Sequence, residues 1–282
     1  MIQKENNKIN TDQAWRQLYA RLEQDGLLPQ ETTAKPFGLP VMRRWAAIVS
    51  ILCISTVTVL FLQDKYGGNH AELLTLHNEK GAVTLVKTFE DGSIVYLADN
   101  TRLQYPEHFA REKREVILSG NALFDVAGNK ERPFMIETES IRIEVTGTAF
   151  NIQSAGHLPF ELTVERGEVK VIHKKNGESL HVKEGETILL SNNRLKVEQT
   201  DKNKRFTGIK QIRFKDETLG NILRVINKNE SDLILQTTSS LENRQLTATF
   251  NNEAPETIAE LICAVFNLQW KKENNVLLIF EP

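Results

Sequence analysis

The stretch LTVERGEVKV, Leu162 to Val171, decides how the middle of this 282-residue chain folds. Leu162 and Val164 alternate with polar residues, Arg166-Gly167-Glu168 is a turn signal, and Val169 and Val171 resume the same period. Side chains of an extended chain point to opposite faces in turn, so apolar residues at every second position describe a half-buried strand. A glycine among charged neighbours supplies the backbone freedom that a reversal needs. The pattern repeats outward. Ile141, Ile143 and Val145 alternate with Arg142 and Glu144 before Gly147, and Ile94 to Leu97 follow Asp91-Gly92-Ser93. Leu180 and Val182 precede Lys183-Glu184-Gly185, after which Ile188 and Leu190 continue. From Ala82 to about Val197 the chain therefore reads as an all-β unit of hairpins or stacked arcs. A sandwich, a barrel and a solenoid-like coil of arcs all satisfy this pattern.

After the polar run TDKNKR, Thr200 to Arg205, the period changes. Leu219, Ile222, Leu223 and Ile226 mark one amphipathic helix, and Ile258, Leu261, Ile262 and Val265 another, with Pro255 near its first turn. Strands are predicted around 212–214, 233–235, 246–250, 268–271 and 276–280. An offset of 36 residues aligns Phe214 with Phe250, Glu217 with Glu253, Ile222 with Ile258 and Ile226 with Ile262. This reads as a duplicated βαβ unit, a small α+β domain with its helices on one sheet face.

On the N-terminal side, Trp45 to Leu62 (WAAIVSILCISTVTVLFL) is a run of 18 residues without charge or proline. As a helix it would cover about 27 Å, near the ~30 Å hydrocarbon thickness of a bilayer. Hydroxyls of Ser50, Ser55, Thr56 and Thr58 would bond back to helix carbonyls. A core helix would keep a polar face, and a signal peptide would carry a shorter apolar region nearer the terminus. A single transmembrane helix is expected. Arg43 and Arg44 directly before it place the N-terminus in the cytoplasm by the positive-inside tendency. The expected layout is a cytoplasmic segment 1–44, a span 45–62, a linker 63–80, a β domain 81–200 and an α+β domain 206–282. Within the first, Trp15, Leu18, Tyr19 and Leu22 fall at i, i+3, i+4 and i+7 of a helix startable at Thr11 or Asp12 and stopped at Gly26. Nothing else in residues 1–44 can cover that stripe, so it awaits a partner protein or a membrane surface.

Composition narrows the chemistry. A net charge of −2 provides no general basic field for nucleic acid. Two cysteines, Cys53 and Cys263, exclude a disulfide scaffold and a Cys-built zinc site. No phosphate-loop, dinucleotide, zinc-helix or nucleophile-elbow motif occurs. Asp91 and Asp99 flank a strand and invite a paired-carboxylate reading, but their Asp-Gly and Asp-Asn contexts are turn chemistry. His173 and His181 read as ordinary strand or turn histidines. A non-enzyme without metal or cofactor is expected.

The β region carries Asp91-Gly92-Ser93 and Val95 to Ala98, then Leu103 to Pro106, Val116 to Gly120 and Ala122 to Val126. It continues through Arg132-Pro133-Phe134, Val145-Thr146-Gly147-Thr148-Ala149-Phe150-Asn151-Ile152, Val164 to Val171 and Gly185-Glu186. In this order and spacing the stretches resemble the FecR family of anti-sigma regulators. The last 75 or so residues resemble the domain that follows FecR domains in Bacteroidetes-type members, itself similar to the secretin and TonB short N-terminal domain. Asn229-Glu230-Ser231-Asp232 departs from the aromatic-rich stretch usual there. The resemblance implies a single-span inner-membrane anti-sigma factor, with its C-terminus in the periplasm. Its cytoplasmic segment, here Trp15, Leu18, Tyr19 and Leu22, would bind an extracytoplasmic-function (ECF) sigma factor. Its periplasmic part would meet the N-terminal signalling domain of a TonB-dependent, SusC-like outer-membrane transporter. Staged cleavage by an intramembrane or periplasmic protease would carry the signal, without direct nucleic-acid contact. A membrane-anchored glycan-binding module or adhesin is the alternative; it would need aromatics clustered on one β face.

Overall fold

The computed structural model describes residues 11–28, 48–58, 72–154, 159–200, 211–229 and 233–282. It divides into two compact units, residues 1–69 and 70–282.

In the second unit the chain alternates hairpins with corners. β6 (Phe134–Glu137) and β7 (Ile141–Val145) pair antiparallel, and Gly147 turns the chain into β8 (Ala149–Ser154), which pairs with β9 (Glu161–Arg166). Gly167 turns it back into β10 (Glu168–His173), whose neighbours are β7 and β11 (Ser179–Lys183). Beyond Gly185, β12 (Glu186–Ser191) pairs with β9 and with β13 (Arg194–Gln199). The segment from Leu162 to Val171 is thus an arc and not a hairpin. β9 and β10 pair with different strands, and Leu162, Val164, Val169 and Val171 all enter one core. Gly167 has φ +89°, and a Cβ there would lie 2.6 Å from Thr148 Cγ2, because successive corners stack directly on one another.

One strand binds the two layers together. β5 (Arg114–Asp125) pairs through its first half with β4 (Thr101–Pro106) and, in parallel, with β6. Its second half pairs with β3 (Ile94–Leu97) and β8. Its inward residues Val116, Leu118, Ala122 and Phe124 are at most 2% exposed. Each large one contributes about 1.5–3 kcal/mol relative to exposure. β1 (Leu73–Asn78) pairs with β4, and β2 (Thr84–Thr88) with β3.

β2 and β3 are apolar on both faces, and this changes the architecture expected at the C-terminus. Leu85, Val95 and Leu97 face the core between the layers, whereas Val86, Ile94 and Tyr96 face a second core. That second core needs a cover, and the C-terminal residues supply it. β14 (Ile212–Thr218) pairs in parallel with β2 and antiparallel with β16 (Gln245–Phe250), so the expected separate α+β sheet is partly an extension of the main sheet. α3 (Leu219–Asn229) and α4 (Pro255–Phe266) bury Leu219, Ile222, Ile226, Ile258 and Ile262 in the same cluster. β15 (Ile234–Thr237), β17 (Gln269–Glu273) and β18 (Val276–Phe280) form a separate three-stranded sheet in the order β15-β18-β17. The repeat positions Phe214 and Phe250 meet edge to face, with ring centroids 6.0 Å apart. The repeat positions Glu217 and Glu253 diverge. Glu217 is buried, faces Lys87 Nζ at 3.6 Å and accepts hydrogen bonds from the amides of Thr88 and Thr218 and from Asn221 Nδ2. Glu253 instead accepts from Asn251 beside the start of α4.

The first unit contains α1 (Thr11–Gln24) and a helical stretch α2 at residues 48–58. Here the expected transmembrane helix is overturned. Among the described residues no helix is long and apolar enough to cross a membrane. The described residues of the run, 48–58, are helical. Residues 45–47 and 59–62 of the expected span, together with Arg43 and Arg44, lie outside the described residues. The hydroxyls do bond back: Ser55 donates to the Leu52 carbonyl (2.8 Å), and Thr58 to that of Ile54 (2.6 Å).

A surface clasp joins the β2–β3 turn to the β4–β5 loop. Glu90 Oε2 lies 2.9 Å from His108 Nδ1, and Glu90 Oε1 accepts from the Phe109 amide at 3.0 Å. The hydrogen bond from Glu90 raises the His108 pKa above 6.5, and the same bond lowers that of Glu90 below 4.5. The histidine contribution is full below pH 6.5 and disappears as pH rises through the raised folded value. The glutamate contribution is present above pH 4.5 and disappears as pH falls through the lowered one. The clasp is therefore strongest between those limits. An NMR titration should place the His108 midpoint above 6.5 in the native protein and return it toward 6.5 in Glu90→Gln. An identical midpoint in both would show that the pair does not form in solution.

Candidate functional site

α1 starts within a polar stretch, with Asp12 in its first turn and Arg21 in its last, the favourable arrangement for a helix dipole. It stops at a Schellman motif. Gly26 has φ +67°, its N–H donates to the Glu23 carbonyl, and the Leu27 N–H reaches back to the Leu22 carbonyl at 3.0 Å. A defined stop of this kind sets where the stripe ends. Trp15 is 59% exposed, Leu18 47% and Tyr19 59%, while Leu22 is partly covered. The Trp15 and Tyr19 rings lie 6.5 Å apart at 48°, one turn from each other on the same face. All four stripe residues predicted from the spacing thus share one face, and α1 has no buried residue. What this arrangement can do chemically is to insert an aromatic pair and two leucines into a groove. It holds no titratable catalytic group.

The remaining sequence candidates do not assemble a reaction centre. Asp91 caps its own turn, accepting from the Ser93 amide (3.0 Å) and hydroxyl (2.7 Å), and Asp99 accepts from the Gly81 amide (3.1 Å). His173 is buried with Nδ1 2.8 Å from Asn176 Oδ1, and His181 lies exposed beside Glu168. Among the described residues no three His, Cys, Asp or Glu side chains gather as a metal site. Burial raises the Cys263 thiol pKa, which disfavours the reactive thiolate. Tyr96 is buried, and Tyr105 is half-buried edge-on to Phe89, so neither builds an aromatic platform for a glycan. Burial is also the main reason the Tyr105 pKa is raised, with the Glu217 charge adding to it.

Spacing did not reveal a cleft of about 610 Å³ between the polar face of α3 and the edge of β15. It is lined by Asn221, Arg224 and Asn227 of α3, by Gln236 and Thr237 of β15, and by Glu242. Asn227 stands in for a neighbouring strand: its Oδ1 accepts from the Leu235 amide and its Nδ2 donates to the Leu235 carbonyl, both at 2.8 Å. Only a polar face on a helix otherwise buried hinted at this groove.

Residues 79–170, about a third of the chain, match the family described as FecR protein. The match spans β2 to the middle of β10 and includes the corners at Gly147 and Gly167. Two crystal structures of a "putative anti-sigma factor" from Parabacteroides distasonis ATCC 8503, at 1.65 and 2.50 Å resolution, are similar at 18% identity. Each covers 74% of this chain and 99% of its own, with TM-scores of 0.45 and 0.46. No curated protein matches the chain.

Proposed function

Starting from a FecR domain at residues 79–170, we propose that this chain is a FecR-type anti-sigma regulator and signal transducer. α1 captures an ECF sigma factor, and the C-terminal module meets the N-terminal signalling domain of a TonB-dependent, SusC-like transporter. The reading is supported by one observation above others: Trp15, Leu18 and Tyr19 stay exposed on a helix that ends in a defined cap. A helix of 14 residues is marginal in isolation, and burial of its stripe would stabilise it. Each large side chain buried contributes about 1.5–3 kcal/mol before ordering costs are subtracted. The proposal thus divides the partner contacts between residues 1–44 and the β unit with its C-terminal module. Proteolysis between the two would free the sigma-bound segment. The proposal contains no catalytic step and no cofactor.

One experiment tests both partners. The full chain is co-purified with the sigma factor and, separately, with the transporter signalling domain. Trp15→Ala/Leu18→Ala should weaken sigma capture at least about 100-fold, as expected for two central anchors. The same variant should keep its hold on the signalling domain. Undiminished sigma capture would refute the role of α1. Failure of the native chain to bind the signalling domain would refute the transporter contact.

A further inference from the structure

Asn78 is the last residue of β1 and is fully buried. Its carboxamide is heavily committed. Nδ2 donates to the carbonyls of Val83 (3.0 Å), Leu97 (3.1 Å) and Ala98 (3.0 Å), while Oδ1 accepts from Arg213 Nη2 (3.2 Å). One side chain thus joins the end of β1, the entry to β2, the end of β3 and the second residue of β14. Arg213 itself stands opposite Leu85 in the parallel β2–β14 ladder. Any displacement of β14 along or away from β2 must act on this bond.

The rest of β1 is lightly held. Among the described strands it pairs with β4 alone, along one edge. Leu73 and Leu74 are 44% and 43% exposed, and Thr75 receives a long 3.5 Å contact from Gln104. A strand with few buried contacts and exposed ladder bonds opens at the low end of a protein's local stabilities. β4, by contrast, is paired on both sides. β1 is also the strand through which the β unit continues into the N-terminal residues.

We propose that β1 is a releasable strand, latched through Asn78 to Arg213, so that movement of the C-terminal module at β14 loosens residues 73–77. This rests on the reading of the chain as a transducer and supplies a route inside its second unit. The C-terminal module holds the latch, and the freed strand is uncharged, extended and accessible to a protease.

Hydrogen exchange on the full chain tests it. In Arg213→Gln the amides of residues 73–77 should exchange at least ten-fold faster, while those of 115–118 in β5 keep their native rate. Thermolysin, which cuts before large apolar residues, should then cleave ahead of Leu73, Leu74 or Leu76 faster than in the native chain. Arg194→Gln, at the exposed first position of β13, should change neither readout. Unchanged exchange in β1 would overturn the latch. An equal rise in β1 and β5 would overturn it as well, since Arg213 would then support the whole unit and not one strand. Neither readout involves the sigma factor or transporter, so a failed latch and a failed anti-sigma assignment are told apart.

Discussion

Arg114→Met is expected to cost the β unit about 3–5 kcal/mol, the range for removing one partner of a buried ion pair. Arg114 is 1% exposed at the start of β5 and points into the core, where Val116, Leu118, Ala122 and Phe124 occupy other inward positions. Its Nη1 lies 2.5 Å from Asp91 Oδ2 and 3.0 Å from the Ala127 carbonyl, and its Nε donates to the Arg132 carbonyl at 2.9 Å. The guanidinium also lies over the Phe134 ring, 5.4 Å from its centroid. One cation therefore ties the β2–β3 turn, the chain leaving β5 and the chain entering β6. Methionine keeps the volume and removes every donor, leaving Asp91 without its cation and the half-buried carbonyls of Ala127 and Arg132 without this donor. Asp91→Asn in the same background should recover part of the loss, because the stranded negative charge disappears with it. Chemical denaturation followed by far-UV circular dichroism measures both. A cost below about 1 kcal/mol would mean that water replaces the arginine and that the core there is wet.

Gly120→Val should be comparably damaging, for a different reason. Gly120 lies in the middle of β5, where that strand leaves one layer for the other, and has φ +121°. A Cβ there would sit 2.8 Å from Thr101 Cα and 2.6 Å from Thr101 Oγ1. The Thr101 hydroxyl accepts from the Asn121 amide and donates to the Asn121 carbonyl, so it cannot simply rotate away. Backbone strain of about 1–3 kcal/mol adds to overpacking of about 1–3 kcal/mol, and valine, stiff at χ1, has no relieving rotamer. The expected result is little or no folded protein at 37 °C. Gly128→Ala is the control: a Cβ there meets nothing within 4 Å and should be tolerated. Equal melting temperatures for Gly120→Val and the native chain would show that β5 can bend without this glycine.

Periodicity was a good guide to the dry side of most elements but not of α4, where Leu261 and Val265, picked out together with Ile258 and Ile262, are 46% and 62% exposed. Ile141, Ile143 and Val145, picked out by alternation, are at most 2% exposed, and Leu219, Ile222, Leu223 and Ile226, picked out by helical spacing, at most 4%. Trp15, Leu18, Tyr19 and Leu22 came out on one face for the same reason, and the helix stop at Gly26 was equally local. Arg114 was not legible. A charged side chain at an inward strand position looks like an outward one until its partners are known, and Asp91 had a sufficient local explanation in its turn. The apolar run from Trp45 to Leu62 shows the opposite failure. Hydropathy records a preference for leaving water, and among the described residues no helix is long and apolar enough to cross a membrane.

What the residues determined by themselves is therefore, for most strands and helices, the face that must be covered. What only the tertiary structure decided is the covering: that Gly167 turns an arc instead of a hairpin, and that β14 docks on β2 and closes the second core. The cause is that strands are joined by backbone N–H and C=O groups, which are the same at every residue. Side chains write the dry face into the sequence, but the choice among equivalent edges is made by the closure of long loops and the packing of the whole.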